Sequence, residues 1–195
     1  TAPLMRQVPR VDEQTCTGCG ACARFCHFNA LAVVRDRALV FLELCHSCGG
    51  CARLCPEKAI SEVPQLVGQV ESGHAGNVRF IQGRLGVGEP NASRLIRAVK
   101  KEASGPGLTI MDCPPGTACS FVAAIEDADY VLLVTEPTPF GLHDLKIAVT
   151  VAEKIGVPFG VVVNRADIGG PGIHEFCRSR GVPVLAEIPN DRDVA

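Results

Sequence analysis

The chain has 195 residues, 47% of them hydrophobic and 21% charged, with a formal net charge of −2. That length holds one medium domain or two small ones, and the near-neutral charge offers no footing for nucleic acid or an anionic membrane. No apolar run approaches the roughly 20 residues that span a bilayer, and the first residues do not read as a secretory leader.

Eight of the eleven cysteines form two copies of one pattern. Cys16, Cys19, Cys22 and Cys26 make one C-x2-C-x2-C-x3-C run; Cys45, Cys48, Cys51 and Cys55, followed by Pro56, make the other. This is the spacing of a cubane iron–sulphur site, in which three thiolates wrap one cluster and the fourth reaches the other. The spacing predicts two 4Fe–4S clusters. One falls to Cys16, Cys19, Cys22 and Cys55, the other to Cys45, Cys48, Cys51 and Cys26.

A shift of 29 residues superposes the two runs and also carries Gly20 onto Gly49, Ala23 onto Ala52, Arg24 onto Arg53 and Ala30 onto Ala59. Small residues between the ligands let the backbone approach the inorganic sulphurs and donate N–H bonds to them. Over residues 11–64 the chain resembles the bacterial two-cluster ferredoxins, with His27 after Cys26 where proline is common. Zinc needs only four ligands in spaced pairs, and a disulfide framework suits small secreted scaffolds. Both are weaker readings. This many thiolates implies a reducing compartment, so a cytoplasmic location is expected.

Beyond residue 78, short β-branched runs alternate with helical periodicity, as in a parallel sheet with crossover helices. Residues 65–77 read as a linker carrying glycines and charges. Strands are expected at 77–81, 108–112, 130–134, 159–163 and 184–188. A helix capped by the Pro90, Asn91 and Ser93 segment carries Leu95, Ile96 and Val99 on one face. Another runs from Leu142 to Ile155 and ends at Gly156, and a short one at 173–180 closes at Gly181.

Ligands of such sheets bind past the carboxyl ends of strands. Asp112, Cys113, Pro114, Pro115 and Gly116 follow one expected strand, Asn164 and Arg165 another, and Pro189, Asn190 and Asp191 the last. Asp112 suits a metal-bound water beside a phosphate, Gly116 a γ-phosphate, and Asn164 and Pro189 an adenine. With Thr135, Pro139 and Gly141, these motifs resemble the MinD/ParA superfamily of P-loop ATPases, in the subgroup with an inserted two-cluster ferredoxin domain. The resemblance implies an α/β fold in which a two-cluster ferredoxin-like domain joins part of a parallel-sheet nucleotide-binding domain. It also implies ATP with Mg²⁺, and a homodimer of the longer protein.

The family's phosphate-binding lysine loop is missing from this sequence: none of its lysines sits in G-x4-G-K-[ST]. The chain therefore reads as an internal fragment of a longer polypeptide. Residues 1–10 form a lead-in, 11–64 the cluster domain, and 78–195 the rest of an ATPase domain. Such a fragment is expected to be inactive alone, while the full-length protein is expected to be an ATPase.

Three functions stay open. The first couples ATP to electron transfer or to cluster delivery, with a redox partner or an apoprotein client. The second is a passive carrier with a docking half, and the third a positioning module with structural clusters. Cys113, Cys119 and Cys177 read as small buried hydrophobes. His27 and His46 read as polar cover over the clusters, and His74, His143 and His174 have no assigned role.

Overall fold

The computed structural model describes residues 1–89 and 92–193. The chain divides into two compact units, Thr1–Pro106 and Gly107–Ala195.

The first unit runs β1 (Ala2–Val11), α1 (Ala21–Phe25), β2 (Leu31–Val34), β3 (Arg37–Val40), α2 (Gly50–Leu54), β4 (Ile60–Ala75), β5 (Val78–Leu85) and α3 (Ser93–Ala103). β4 pairs antiparallel with β1 on one side and β5 on the other. β1 holds an edge, where Pro3 and Pro9 are tolerated because one side of the strand carries no ladder. β2 and β3 form a hairpin whose two turn residues, Arg35 and Asp36, sit at φ 50° and 60°. That is the backbone a two-residue primed turn requires, and it matches the right-handed strand twist.

The 29-residue repeat of the sequence is also a repeat of structure. Val11 pairs with Ile60 as Val40 pairs with Leu31, and Val8 pairs with Val63 as Arg37 pairs with Val34. Asp12 N–H donates to Ala59 O over 2.8 Å, and Phe41 N–H donates to Ala30 O over the same distance. Each strand pair is therefore built from one β-strand of each copy, and α1 packs against α2.

Two expectations change here. Residues 65–77, expected to be a linker, lie mostly in β4. Proline and glycine suggest a break, but at Pro64 β4 has only β1 beside it, since the β5 register begins at Gly68. A missing N–H there disturbs at most one ladder. The strand expected at 77–81 exists as β5, but it is antiparallel and belongs to the first unit's sheet. α3 rests on it through Gly83, where an added Cβ would meet Leu95 Cγ at 2.7 Å and Val99 Cγ2 at 2.9 Å. Of the expected cap, Pro90 and Asn91 lie outside the described residues, and Ala92 precedes the helix without a side-chain cap bond.

The second unit runs α4 (Cys119–Ile125), β6 (Val131–Thr135), α5 (Pro139–Ile155), β7 (Phe159–Asn164), α6 (Gly172–Arg180) and β8 (Val184–Ile188). The strands are parallel in the order β6-β7-β8, with a helix in each crossover, as the alternating periodicity predicts. Central β7 is a continuous apolar run, as burial on both faces demands, and Val161 and Val163 are fully buried. Val149, Ala152, Ile173 and Cys177 from the helices complete the core. Thr138 caps α5 by accepting from Gly141 N–H at 3.0 Å, and left-handed Gly156 (φ 80°) ends it.

Residues 108–112 do not form the expected strand. A strand exists only with a ladder partner. Leu108 and Ile110 are instead 91% and 86% exposed, so the apolar pattern alone does not place them in the sheet.

Candidate metal centre

Each cysteine loop is shaped by residues that hold left-handed backbone at matching places. Gly18 and Ser47 have φ 66° and 56°, Gly20 and Gly49 have 75° and 70°, and Asn29 and Lys58 both have 53°. Gly20 and Gly49 are the N-caps that turn the loops into α1 and α2. The third cysteine of each run, Cys22 or Cys51, lies on the helix and is buried. The fourth, Cys26 or Cys55, is the extended C-cap residue that carries the chain away from its own loop.

The entry to each loop differs between the copies. In the first, Asp12 accepts bonds from Gln14 N–H (3.0 Å) and Thr15 Oγ1 (2.8 Å), and its carbonyl accepts from Cys16 N–H (3.0 Å). The Thr15 hydroxyl, and next the Gln14 amide, hold the Asp12 carboxyl below its usual range. In the second copy a 3-10 turn over Leu42–Leu44 does this work, with Cys45 N–H bonded to Leu42 O at 3.1 Å.

A pocket of about 340 Å³, partly continuous with solvent, is lined by Cys16, Cys19, Cys22 and Cys55. Gly18, Gly20, Val33, Pro56 and Ile60 are among the other residues of its wall. None of the eight cysteines of the two runs is in a disulfide. The chemistry fits a cubane: four sulphur donors around one cavity, and glycine where the chain passes closest. A Cβ on Gly18 would lie 2.5 Å from the backbone of Asp36. Among the described residues, no three His, Cys, Asp or Glu side chains close on a single metal ion. A cubane presents four separate irons, so its ligands do not converge on one point.

Two amide-to-sulphur bonds reach candidate ligand sulphurs: Ser47 N–H donates to Cys45 Sγ at 3.4 Å, and Ala59 N–H to Cys55 Sγ at 3.3 Å. Such bonds stabilise sulphur-borne charge and tune cluster potential. Burial pushes the Cys22 thiol up, and the Cys51 thiol up to about 11. Both sulphurs are therefore protonated at neutral pH, and a metal taken up by them would have to displace those protons.

Sequence reasoning missed the residues that hold the second loop. Arg6, on β1, is 6% exposed. Its Nη1 donates to Cys45 O at 2.8 Å, its Nη2 to Leu42 O at 3.0 Å, and its Nε and Nη2 to Gln65 Oε1. Nη2 also pairs with Glu89 at 3.3 Å, both side chains being buried. Removing one partner of such a pair costs about 3–5 kcal/mol, because the other charge is left stranded. No sequence motif marks Arg6; only the β1–β4 register, which sets it opposite Gln65, brings it there. On the first loop, exposed Arg24 donates to Cys19 O at 3.1 Å. His46 is exposed and stacks on Phe28, ring centroids 3.7 Å apart, and His27 is exposed.

In the second unit, Asn164 and Ile188 are register partners at the carboxyl ends of β7 and β8, which places Pro189 beside Asn164. Asn190 N–H donates to Asp167 Oδ1 at 2.6 Å, and Arg165 pairs with Glu136 at 3.5 Å, so the three post-strand loops touch. Asp112 and Gly116 (φ 99°) lie in irregular chain. Cys177 is buried as expected, whereas Cys113 and Cys119 are exposed, since the irregular segment they flank lacks a covering layer.

The repeated strand–loop–helix, its cysteine quartets and its pocket are the features of a ferredoxin-type 4Fe–4S domain. Residues 9–60 match the family described as 4Fe-4S dicluster domain. The chain is 32% identical over 145 residues to the uncharacterized protein MJ0579 of Methanocaldococcus jannaschii, covering 73% of this chain and 53% of that protein. It thus spans about half the length of the curated relative it matches. Among the described residues, no helix is long and apolar enough to cross a membrane.

Proposed function

We propose that the chain carries two 4Fe–4S clusters with crossed ligation and transfers single electrons to a redox partner. Cys16, Cys19, Cys22 and Cys55 hold one cluster; Cys45, Cys48, Cys51 and Cys26 hold the other. The observation that carries this reading is the pocket, which gathers the first three cysteines of one run with the last cysteine of the other. The 29-residue repeat extends the same logic to Cys26 and the second loop. Bound there, the clusters supply one-electron transfer at potentials set by burial, net charge and hydrogen bonds to sulphur. The chain's own part is to exclude water with Cys22, Cys51 and their apolar neighbours, and to fix the thiolates with the glycine turns. Cys55→Ala tests the crossing. It is expected to damage the cluster held by Cys19 and spare the one held by Cys48, as read by electron paramagnetic resonance against Cys19→Ala and Cys48→Ala references. Damage confined to the Cys48 cluster contradicts it.

A second reading adds ATP with Mg²⁺ in the longer protein, as a MinD/ParA-like ATPase that dimerises and couples nucleotide state to electron or cluster delivery. What favours it is the meeting of the Asn164 and Pro189 loops at the carboxyl edge of a parallel sheet, where open α/β sheets bind ligands. Asp112 would then position metal and water, and Gly116 the γ-phosphate. In the full-length protein, Asp112→Ala is expected to lose hydrolysis more than nucleotide binding. Unchanged turnover removes Asp112 from the mechanism.

A further inference from the structure

The two cysteine loops are related by the 29-residue repeat, yet their electrostatic surroundings are not. The shift that superposes the loops carries Arg6 onto Arg35, which sits exposed in the β2–β3 turn. Among the described residues, therefore, the second loop alone has a buried guanidinium on its backbone. That guanidinium spans two carbonyls of the loop entry, Leu42 O and Cys45 O, the latter belonging to a candidate ligand. A planar fork with several donors fixes such a geometry in a way that a single-point lysine charge does not.

The sign of the field also follows from the contacts. The Nη1 end of Arg6 faces Cys45 O, while Glu89 meets the Nη2 end. Nη2 also reaches Leu42 O. It is therefore at Cys45 O, the carbonyl of a candidate ligand, that the guanidinium presents the end not paired with a carboxylate, in a buried place where water screens little. Positive charge near a cluster favours the reduced, more negative form. Arg94, on α3, adds a 3.3 Å bond to His46 O, so the second loop is held from both β1 and α3.

We propose that Arg6 is a positioning residue for the second cluster alone, fixing its loop and making it the easier of the two to reduce. The asymmetry gives electrons a direction, from the Cys19 cluster to the Cys48 cluster. This inference rests on the two-cluster reading, which iron and sulphide analysis of the unaltered chain checks separately.

The test is a redox titration, followed by electron paramagnetic resonance, of the full reconstituted chain and its Arg6→Met variant. Cys19→Ala and Cys48→Ala backgrounds assign each signal to its loop, whichever way the fourth cysteines cross. Because Arg6→Met strands a buried carboxylate and can prevent folding, Arg6→Met with Glu89→Gln is measured beside it. In both, the reduction equilibrium constant of the Cys48 cluster is expected to fall at least tenfold, a 59 mV drop for one electron. That of the Cys19 cluster is expected to change less than twofold. A merely structural role would lower cluster content or thermal stability without shifting one potential. A change under threefold at the Cys48 cluster, or an equal change at both clusters, overturns the proposal.

Discussion

Asp12 and Ala59 are joined by a 2.8 Å backbone hydrogen bond that closes one cysteine loop against the strand leaving the other. Its counterpart between Phe41 and Ala30 does the same for the second loop. Each loop is therefore anchored by the opposite half of the repeat. A fourth cysteine leaving its own helix follows the same strand crossing, and that is the structural ground for the crossed ligation proposed above.

Gly18→Ala is expected to destabilise the first unit by roughly 1–3 kcal/mol. The left-handed backbone is not prohibitive by itself, because Ser47 holds it in the second copy. The clash with Asp36 backbone at 2.5 Å is what the chain cannot relieve cheaply. Gly73→Ala, where an added Cβ meets nothing within 4 Å, serves as the control. Equal thermal stability of the two variants would contradict this.

Asp12→Ala removes both acceptor bonds of the turn that sets Cys16. The Cys19 cluster is expected to bleach faster in air than the Cys48 cluster, measured from their separate spectra. A carboxyl held low in the folded chain contributes stability above its unfolded pKa, and loses it as pH falls through the folded value. The difference between variant and wild type is therefore present in full at neutral pH. Identical bleaching of the two clusters in the variant would show that the turn does not support Cys16.

Ile173→Ala opens a cavity in the second unit's core, where this side chain is 1% exposed. It is expected to cost about 2–5 kcal/mol and to lower that unit's melting temperature. The iron-to-protein ratio is expected to stay unchanged, because Ile173 packs within the second unit's own core. Loss of iron in this variant would show the two units to be energetically linked.

What the sequence reveals and what it hides divide along a physical line. The cysteine loops are local: spacing, glycine and the 29-residue shift fix their backbone, and the structure repeats it down to Asn29 and Lys58. The helices and strands from Val131 onward are legible for the same reason, since burial writes a period into each segment. Pairing between distant segments leaves no such mark. β1 pairs with distant residues, Arg6 with Gln65, 59 positions away, and Arg6 gains its partners only through that register. Pro64, Gly68 and Gly73 read as punctuation although they lie inside β4. Residues 108–112 show the converse, an apolar run with the composition of a strand and no ladder to join.

The central claim is that the repeat holds two cubane clusters, and the most direct measurement is iron and acid-labile sulphide per chain after anaerobic isolation or reconstitution. The account predicts about eight of each, four per cysteine quartet. Stoichiometric zinc without sulphide, or about four irons with one quartet left as free thiols, would contradict it.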